Sequence, residues 1–457
     1  MPGDWRRANV APIFKKGSKS EAGNYRPVSL TSMICKVMES ILKDAVMEHL
    51  VFNRLIRSSQ HGFMARKSCL TNLLEYLETL TRLVDEGHDL DIIYLDFAKA
   101  FDKVPHQRLV AKMMAHGISG KVVKWVEAWL TGREQRVVIN GKMSAWAPVD
   151  SGVPQGSVLG PTLFIIFIND LDMAIDIISS IISKFADDTK VGRIVENDEG
   201  RAALQADLDK LLEWADKWQM QFNASKCKVL HIGKKNQCFS YTMGGHAPAG
   251  MVLQRTVEEK DVGVLIQENL KPSAQCAKAA KKANQVLGQM SRGLHFRDRS
   301  TWIRLYQQYC RPHLEYCIQA WSPWTKADQE LLESVQERAV RMCSGLQGRT
   351  YSDRLREVGL TTLVERRRRG DMIQVWKTLH EKVDVNPETW FAPMNSSGAV
   401  TRMSGDPWNI AKPVATKSLD IRTKFWSVRS VDAWNNLPFE LKSSRTVIAF
   451  KSNYDKL

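Results

Sequence analysis

Apolar residues recur at three- and four-residue spacing in several parts of the chain, the pattern of amphipathic helices. In residues 31–50 the recurring positions are Ile34, Val37, Met38, Ile41 and Leu42. The same spacing predicts helices over residues 70–86, 161–170 and 201–218, and one or two helices over residues 107–132. On the helix at 201–218, Trp214 and Trp218 are four residues apart, so we expect both rings in the core.

Short runs of β-branched and aromatic residues predict strands. DIIYLDF, residues 91–97, has the apolar character of a buried strand. The apolar run 175–185 and the β-rich run 189–195 flank an acidic turn at Asp187 and Asp188, and they predict a hairpin. Further extended segments are predicted over residues 1–30, over 136–146 as a hairpin with Asn140-Gly141 as its turn, and over 228–233 and 261–266.

The pattern changes along the chain. Strands and helices interleave up to about residue 270, which favours one sheet with helices packed on it. Beyond Pro272 the chain is almost wholly helical and basic. Residues 384–415 predict a loop or linker, and residues 421–457 a last small helical unit. The expected fold class is therefore α+β.

Charge and cysteine usage narrow the class of protein. Lys and Arg total 65 against 50 Asp and Glu, a formal net charge of +15, which favours a polyanionic partner. The eight cysteines form no CxxC pair, which argues against a zinc site. No apolar run approaches the ~20 residues that span a bilayer. Since the N-terminus lacks the apolar core of a signal peptide, we expect reduced thiols in an intracellular protein, in the nucleus or cytoplasm and not secreted.

The candidate chemistry is acidic. Asp96 ends a predicted buried strand, and Asp187 and Asp188 lie at the tip of a predicted hairpin. Adjacent carboxylates repel each other unless a cation lies between them, and Mg²⁺ prefers such oxygen ligands. Two ions about 4 Å apart can hold the attacking and leaving oxygens of a phosphoryl transfer. The alternative is that these residues are ordinary turn acids.

Three sequence strings favour a metal site over ordinary turn acids. They are LDFAKAFDKVPH (95–106), SGVPQGSVLGPTLFIIFINDL (151–171) and FADDT (185–189), in this order. Together they resemble consecutive motifs of reverse transcriptases, in particular those of LINE-type (non-LTR), jockey-like retrotransposons. The resemblance continues over most of the chain, in residues 23–42, SQHGF (59–63), NASKCKVLHIG (223–233), DVGVLI (261–266), 305–324 and 425–438.

The resemblance implies a right-hand polymerase. Its parts would be partial fingers (1–70), a palm with a central antiparallel sheet (71–270), a helical thumb-like region (271–383) and a linker with a C-terminal segment (384–457). It implies an RNA-directed DNA polymerase that adds dNTPs to a DNA primer on an RNA template. The implied cofactor is a pair of Mg²⁺ ions, for which Mn²⁺ can substitute. Neither a membrane nor zinc is implied as a partner.

The resemblance also assigns roles to residues. Asp96 and Asp187 would be the principal metal ligands, with Asp188 beside them and the backbone carbonyl of Phe97 completing one coordination shell. Phe101 would be a steric gate that favours dNTP over rNTP by crowding a 2′-hydroxyl. Without the motif, Phe101 would be interpreted as plain core packing.

Further roles concern substrate binding. Gln155 and Gly156 would lie against the nucleotide and the template, although a turn before a helix explains them as well. Arg26 would grip the triphosphate, with Lys15 and Lys16 as either helpers or a solvated pair. Lys226 would protonate the leaving pyrophosphate, or be a surface lysine, and DVGVLI would position the primer end. A phosphate-binding strip, a solvated helix face or a nuclear-import signal are the alternatives for Arg366, Arg367, Arg368 and Arg369.

The sequence also departs from full-length elements of this type. From the resemblance we expect the chain to lack the upstream endonuclease and part of the fingers, and Met64 stands where many relatives carry arginine. These departures indicate a 5′-truncated genomic copy. Three alternatives therefore stay open: a truncated, inactive copy that only binds nucleic acid, a scaffold that binds RNA for another partner, and a chain that is never a stable protein.

Overall fold

A computed structural model of the protein describes residues 1–244, 250–294, 296–394 and 406–457. The strands are β1 (Arg7–Phe14), β2 (Tyr25–Leu30), β3 (Leu90–Leu95), β4 (Arg133–Ile139), β5 (Lys142–Met143), β6 (Ala147–Val149), β7 (Ile181–Phe185), β8 (Asp188–Ile194), β9 (Lys228–Ile232), β10 (Thr242–Met243), β11 (Met251–Val252), β12 (Gln254–Thr256), β13 (Glu258–Asp261) and β14 (Val264–Gln267).

The α-helices are α1 (Gly3–Arg6), α2 (Met33–Phe52), α3 (Cys69–Glu86), α4 (His106–Ala115), α5 (Gly120–Leu130), α6 (Gly160–Ile168), α7 (Asp198–Trp218), α8 (Ser273–Gly293), α9 (Arg299–Leu305), α10 (Arg311–Glu315), α11 (Ile318–Trp321), α12 (Lys326–Arg341), α13 (Tyr351–Val358), α14 (Leu363–Leu379), α15 (Asp420–Thr423), α16 (Trp426–Asn435), α17 (Phe439–Lys442) and α18 (Val447–Tyr454). This content confirms the α+β class.

The chain forms two compact units. Unit 1 comprises Met1–Met64, Asp91–Val229 and Cys238–Arg255, and unit 2 comprises Ala65–Leu90, Leu230–Gln237 and Thr256–Leu457. The division of the chain into fingers, palm, thumb and C-terminal segments remains a prediction.

One sheet of unit 1 has the order β2-β1-β4-β5, with β6 paired to β4. Strands β1 and β2 are antiparallel and β1 and β4 are parallel. Ala8 and Val10 alternate along β1 and are buried, as a strand with one core face requires. The predicted hairpin is confirmed, since Asn140 and Gly141 both have positive φ, 48° and 79°, between the paired ends of β4 and β5.

A second sheet has the order β12-β9-β3-β8-β7, and each of these strands has residues in unit 1. The antiparallel pair β7–β8 is the predicted acidic hairpin. Strand β7 begins at Ile181, so it is shorter than the predicted apolar run 175–185. The residues that precede it make polar contacts instead. Arg193 pairs with Asp176 and Asp207 at 3.1 Å each, and the Ser180 hydroxyl donates to Asp207 at 2.5 Å.

The helices of unit 1 pack on this sheet. Every residue of α6 except Pro161 is buried, so this helix is the centre of the core. Trp214 of α7 is buried and Trp218 is half-buried against the core, as predicted. Helix α2 forms as predicted, but it buries Cys35, Glu39, Val46 and Leu50, and the recurring positions Ile34, Val37 and Ile41 are exposed.

Unit 2 is mainly helical after Pro272, which confirms that prediction. DVGVLI is not one strand as predicted. It spans the turn of an antiparallel hairpin in which Val262 and Gly263, with φ of 35° and 99°, separate β13 from β14. Part of the predicted linker, residues 395–405, lies outside the described residues. All eight cysteines are free thiols. Among the residues that the structure describes, no helix combines the length and apolar character needed to cross a membrane.

Candidate active site

Asp96 follows β3 directly, where the strand ends and the chain turns. Its backbone is held from residues 221–227: Asn223 N–H donates to the Asp96 carbonyl at 2.7 Å, and Asp96 N–H donates to the sulfur of Cys227 at 3.4 Å. The next residue, Phe97, is buried and stacks on Phe222 with ring centroids 4.3 Å apart. These contacts fix the backbone on both sides of the carboxylate.

Asp187 lies in the two-residue turn between β7 and β8, where Phe185 pairs with Asp188. Ala186 has a left-handed backbone, φ 57°, which costs free energy in a residue other than glycine. The side chain of Gln60 holds this turn, because its Oε1 accepts from Ala186 N–H at 2.9 Å and from Gly62 N–H at 2.7 Å.

The backbone of SQHGF continues this contact along β7. Lys184 N–H donates to the Ser59 carbonyl and His61 N–H donates to the Lys184 carbonyl, both at 2.9 Å. A side chain at Gly62 would place its Cβ 2.3 Å from Ala186 N, so only glycine fits. The motif thus positions the hairpin that carries Asp187.

Three charged residues of unit 1 influence the pKa of Asp187. Burial raises the pKa of Asp187, and the negative charge of Asp96 raises this pKa further, whereas the positive charges of Arg26 and Lys15 lower it. The charges of Asp96, Arg26 and Lys15 therefore all act on the Asp187 carboxylate. Asp188 is exposed at the start of β8.

The donor set fits a divalent cation. Burial and the negative charge of Asp96 make the Asp187 carboxyl group easier to protonate, and a cation bound by the two carboxylates would relieve this repulsion. Within the described residues, no group of three or more histidine, cysteine, aspartate or glutamate side chains could hold a metal ion. Mg²⁺ does not need such a group, since it is usually held by one or two carboxylates together with waters and substrate phosphates.

Lys226 contacts Asp96 directly, its Nζ lying 3.1 Å from Asp96 Oδ2. More than half of the lysine side chain and over a third of the aspartate side chain are exposed, 60% and 38% respectively. The ammonium group is thus at the site and accessible to a ligand.

Phe101 is half-buried, with its ring stacked on Phe164 of α6 at a centroid distance of 4.3 Å and edge-on to Phe63 at 6.2 Å. The ring is therefore held rigidly by the core. Core packing and a gating role are compatible at this position, because the exposed part of the ring remains available to a substrate.

The loop carrying Gln155 and Gly156 lies against β2. Ser29 N–H donates to the Gln155 carbonyl at 2.7 Å. Gly156 has φ +109°, and a Cβ there would lie 2.6 Å from the Ser29 carbonyl oxygen, so this position requires glycine. Arg26 is an exposed residue of the same strand.

The buried carboxylate of Glu39 accepts hydrogen bonds from the end of the same loop. Glu39 of α2 is fully buried, and its Oε2 accepts from Val158 N–H at 2.6 Å and Leu159 N–H at 3.1 Å. These N–H groups precede α6, where a helix N-terminus favours negative charge. Arg133 supplies a buried positive charge nearby, and its pKa is lowered by burial and raised by Cys35 and Glu39.

The arginine run of α14 is largely engaged within unit 2. Arg366 pairs with Glu315 and Arg369 with Asp455, and Arg367 is buried. Arg368 is exposed. A role in phosphate binding remains a prediction for this run.

Sequence reasoning missed Gln60, Glu39 and Asp102, the last of which accepts from Gln155 Nε2 at 3.2 Å. All three are polar residues whose partners lie 53 to 126 positions away. Gln60 was inside a recognised motif, and Glu39 is a charged residue at a predicted helix position. Only the fold shows what each one contacts.

Two known proteins with similar sequences are polymerases of mobile elements. The chain is 27% identical over 397 residues to the RNA-directed DNA polymerase from mobile element jockey of Drosophila funebris, covering 84% of this chain and 42% of the relative. It is 24% identical over 414 residues to the jockey polymerase of Drosophila melanogaster, covering 88% and 44%. The chain thus spans less than half the length of these relatives.

Among solved structures, telomerase of Candida albicans in complex with a telomeric RNA fragment matches with a TM-score of 0.42 at 10% identity, covering 79% of this chain and 66% of that one. Apo telomerase of Candida tropicalis matches with a TM-score of 0.43 at 12% identity, covering 75% and 57%. A sequence model of the reverse transcriptase (RNA-dependent DNA polymerase) family matches residues 13–282, more than half of the chain. The chain belongs to the reverse transcriptase family.

Proposed function

We propose that this chain is the RNA-directed DNA polymerase of a non-LTR retrotransposon. The observation that carries the proposal is that Asp96 directly follows β3 and Asp187 directly precedes β8, its neighbour in the sheet, with Lys226 Nζ 3.1 Å from Asp96 Oδ2. The jockey relatives agree with this assignment.

The reaction would be attack of a primer 3′-hydroxyl on the α-phosphate of a dNTP, with cleavage of the bond to the leaving pyrophosphate. Asp96 and Asp187 would hold two Mg²⁺ ions, with Asp188 and the Phe97 carbonyl as further oxygen donors. The ions would supply neutralisation of the charge that develops on the phosphate oxygens, a role that Mn²⁺ can also fill.

The chain's own residues would bind and orient the reactants. Arg26 offers a guanidinium fork that suits phosphate oxygens, and Lys15 adds positive charge to the same region. Lys226, in contact with Asp96, would give a proton to the pyrophosphate. Phe101, held by Phe164, would exclude a 2′-hydroxyl.

The positive charge of the molecule supports the proposed binding of nucleic acid. A net charge of +15 favours sequence-independent contacts to the backbone of an RNA template and DNA primer, and such contacts weaken with salt. Arg368, the exposed member of the arginine run 366–369, and the β13–β14 hairpin are the proposed contributors from unit 2. A polymerase with these substrates would act in the nucleus or the cytoplasm.

The test is primer extension by the purified chain on poly(rA) primed with oligo(dT), with dTTP and Mg²⁺. We expect extension by the parent and by Asp216→Asn, an exposed control on α7, and none by the isosteric Asp187→Asn. Equal extension by Asp187→Asn would overturn the assignment of the site. If no chain extends the primer but all bind the duplex, the inactive nucleic-acid-binding alternative replaces the proposal.

A further inference from the structure

Asp102 is a half-buried carboxylate that the proposed reaction does not use. Its Oδ1 accepts from Nε2 of Gln155 at 3.2 Å, 53 positions along the chain. Burial raises its pKa, while Lys99, the bond from Gln155 and Lys15 lower it. A carboxylate is costly to bury, so a specific partner for it calls for an explanation.

The backbone fixes the two residues relative to each other. Gly152 N–H donates to the Val104 carbonyl at 2.8 Å, and Val153 N–H donates to the Phe101 carbonyl at 2.7 Å. A Cβ at Gly152 would lie 2.6 Å from the Asp102 carbonyl oxygen, so the loops touch directly. The Asp102–Gln155 contact is therefore imposed by the loops and is not a chance meeting of side chains.

An ionised carboxylate can only accept hydrogen bonds, whereas a glutamine amide has a donor end and an acceptor end. The donor end of Gln155 must consequently face Asp102, because the reverse orientation would set two oxygens against each other. The carboxylate thus selects one of the two amide orientations and reserves Oε1 of Gln155 as an acceptor for something else.

We propose that Asp102 is a positioning residue that fixes the Gln155 amide so that its carbonyl oxygen accepts a hydrogen bond from a sugar hydroxyl of the bound substrates. The inference rests on the proposed function. A polymerase must treat all four bases alike, and among the parts that dNTPs share the 3′-hydroxyl is the neutral donor. On an RNA template, the 2′-hydroxyl is the corresponding shared donor.

The experiment measures kcat/KM for single-nucleotide incorporation in two comparisons. The first compares dTTP with ddTTP on primed poly(rA), and the second compares poly(rA) with poly(dA) as template for dTTP. In Asp102→Ala we expect one of these two preferences to fall about tenfold, the size of one lost hydrogen bond. A fall in the dTTP preference identifies the nucleotide 3′-hydroxyl, and a fall in the RNA preference identifies the template 2′-hydroxyl.

A double-mutant cycle shows whether Asp102 acts through Gln155. In a Gln155→Ala background, Asp102→Ala should change neither preference further. Asp102→Asn keeps the size and one acceptor but lets the two amides pair either way round, so an intermediate fall is expected. Asp150→Ala, an exposed carboxylate next to the same loop, is the matched control and should preserve both preferences.

The inference is overturned if Asp102→Ala or Asp102→Asn lowers kcat/KM for all substrates by one common factor, because that is the behaviour of a merely structural residue. An additive effect in the double variant also overturns it. Both results require a parent that extends primers, so they are distinct from failure of the proposed function. A parent that incorporates no nucleotide overturns the function and this inference together.

Discussion

At the scale of single residues, the site depends on a backbone conformation that its own sequence does not favour. Ala186 has a left-handed φ immediately before Asp187, although glycine is the residue suited to that region. Such a conformation persists only where surrounding contacts determine it. Here those contacts come from Gln60, which is almost fully buried and 126 positions away.

Replacing Gln60 therefore tests whether the turn is held from outside. In Gln60→Ala the buried N–H groups of Ala186 and Gly62 lose their acceptor, and we expect the free energy of unfolding to fall by about 2–3 kcal/mol. Primer extension should fall about 100-fold, because a small displacement of Asp187, a proposed metal ligand, would be that costly. Urea unfolding and extension assays measure the two effects.

Two further variants control this prediction. Gln60→Glu keeps the acceptor oxygens and should be intermediate in both assays. Gln308→Ala removes an exposed amide and should leave both unchanged. A Gln60→Ala protein with parental activity would contradict the idea that this side chain positions Asp187.

At this scale the sequence predicted some residues and not others. Asp96, Asp187 and Phe101 were predicted because they lie inside short strings whose order resembles the reverse transcriptase motifs, and the charge of Asp96 does raise the pKa of Asp187. Gln60 and Glu39 were not predicted as site residues, because their role is to satisfy backbone N–H groups of distant segments. A local sequence pattern does not indicate a hydrogen-bond partner that lies so far along the chain.

At the scale of elements, α6 starts where the 151–159 loop ends, and the buried Glu39 accepts from the backbone N–H groups there. Glu39→Leu would leave the N–H groups of Val158 and Leu159 without their acceptor and Arg133 without a neighbouring negative charge. We expect a loss of about 3 kcal/mol in the free energy of unfolding. The measurement is chemical denaturation, with the 151–159 loop followed by amide hydrogen exchange.

Glu48 lies on the same helix and is exposed, so Glu48→Leu is the matched control and should change stability by less than about 0.5 kcal/mol. Equal effects of the two substitutions would show that Glu39 is simply another helix residue. Faster exchange confined to the 151–159 loop would instead locate the effect at the start of α6.

The β13–β14 hairpin is the element whose prediction failed, for a physical reason. DVGVLI reads as a continuous apolar run, but Gly263 has φ +99°, a conformation that ends a strand. The turn is seated on Tyr316, whose hydroxyl donates to the Val262 carbonyl at 2.7 Å. Periodicity alone does not distinguish a short buried strand from a tight turn between two.

Gly263→Ala should disturb this hairpin in two ways. The new Cβ would lie 3.0 Å from Cε1 of Tyr316, and the backbone would be strained. We expect a cost of about 2 kcal/mol, against about 1 kcal/mol for Gly359→Ala, where φ is also positive but nothing lies within 4 Å. Thermal unfolding compares the two, and equal costs would mean that contact with Tyr316 contributes nothing.

At the scale of the whole molecule, the α+β class could be predicted because alternating and helical patterns dominate separate stretches of the chain. The two units could not, since each combines segments that are far apart in sequence. In unit 2, α3 (Cys69–Glu86) packs against two helices that lie far along the chain, α11 (Ile318–Trp321) and α15 (Asp420–Thr423). One contact between α3 and α15 is a buried ion pair whose residues are 344 positions apart, Arg422 with Glu78 at 2.7 Å.

This ion pair gives the last prediction. Both side chains are almost fully buried, and Ser427 donates to the second oxygen of Glu78 at 2.5 Å. Arg422→Met or Glu78→Leu alone would strand one buried charge, and we expect each to lower the free energy of unfolding by about 3–5 kcal/mol. The double variant should cost far less than the sum, because no buried charge then remains without a partner. Urea unfolding followed by tryptophan fluorescence measures all three, with the exposed Arg341→Met as control. Additive costs would mean that the two side chains act independently and that this ion pair does not stabilise the packing of α15 on α3.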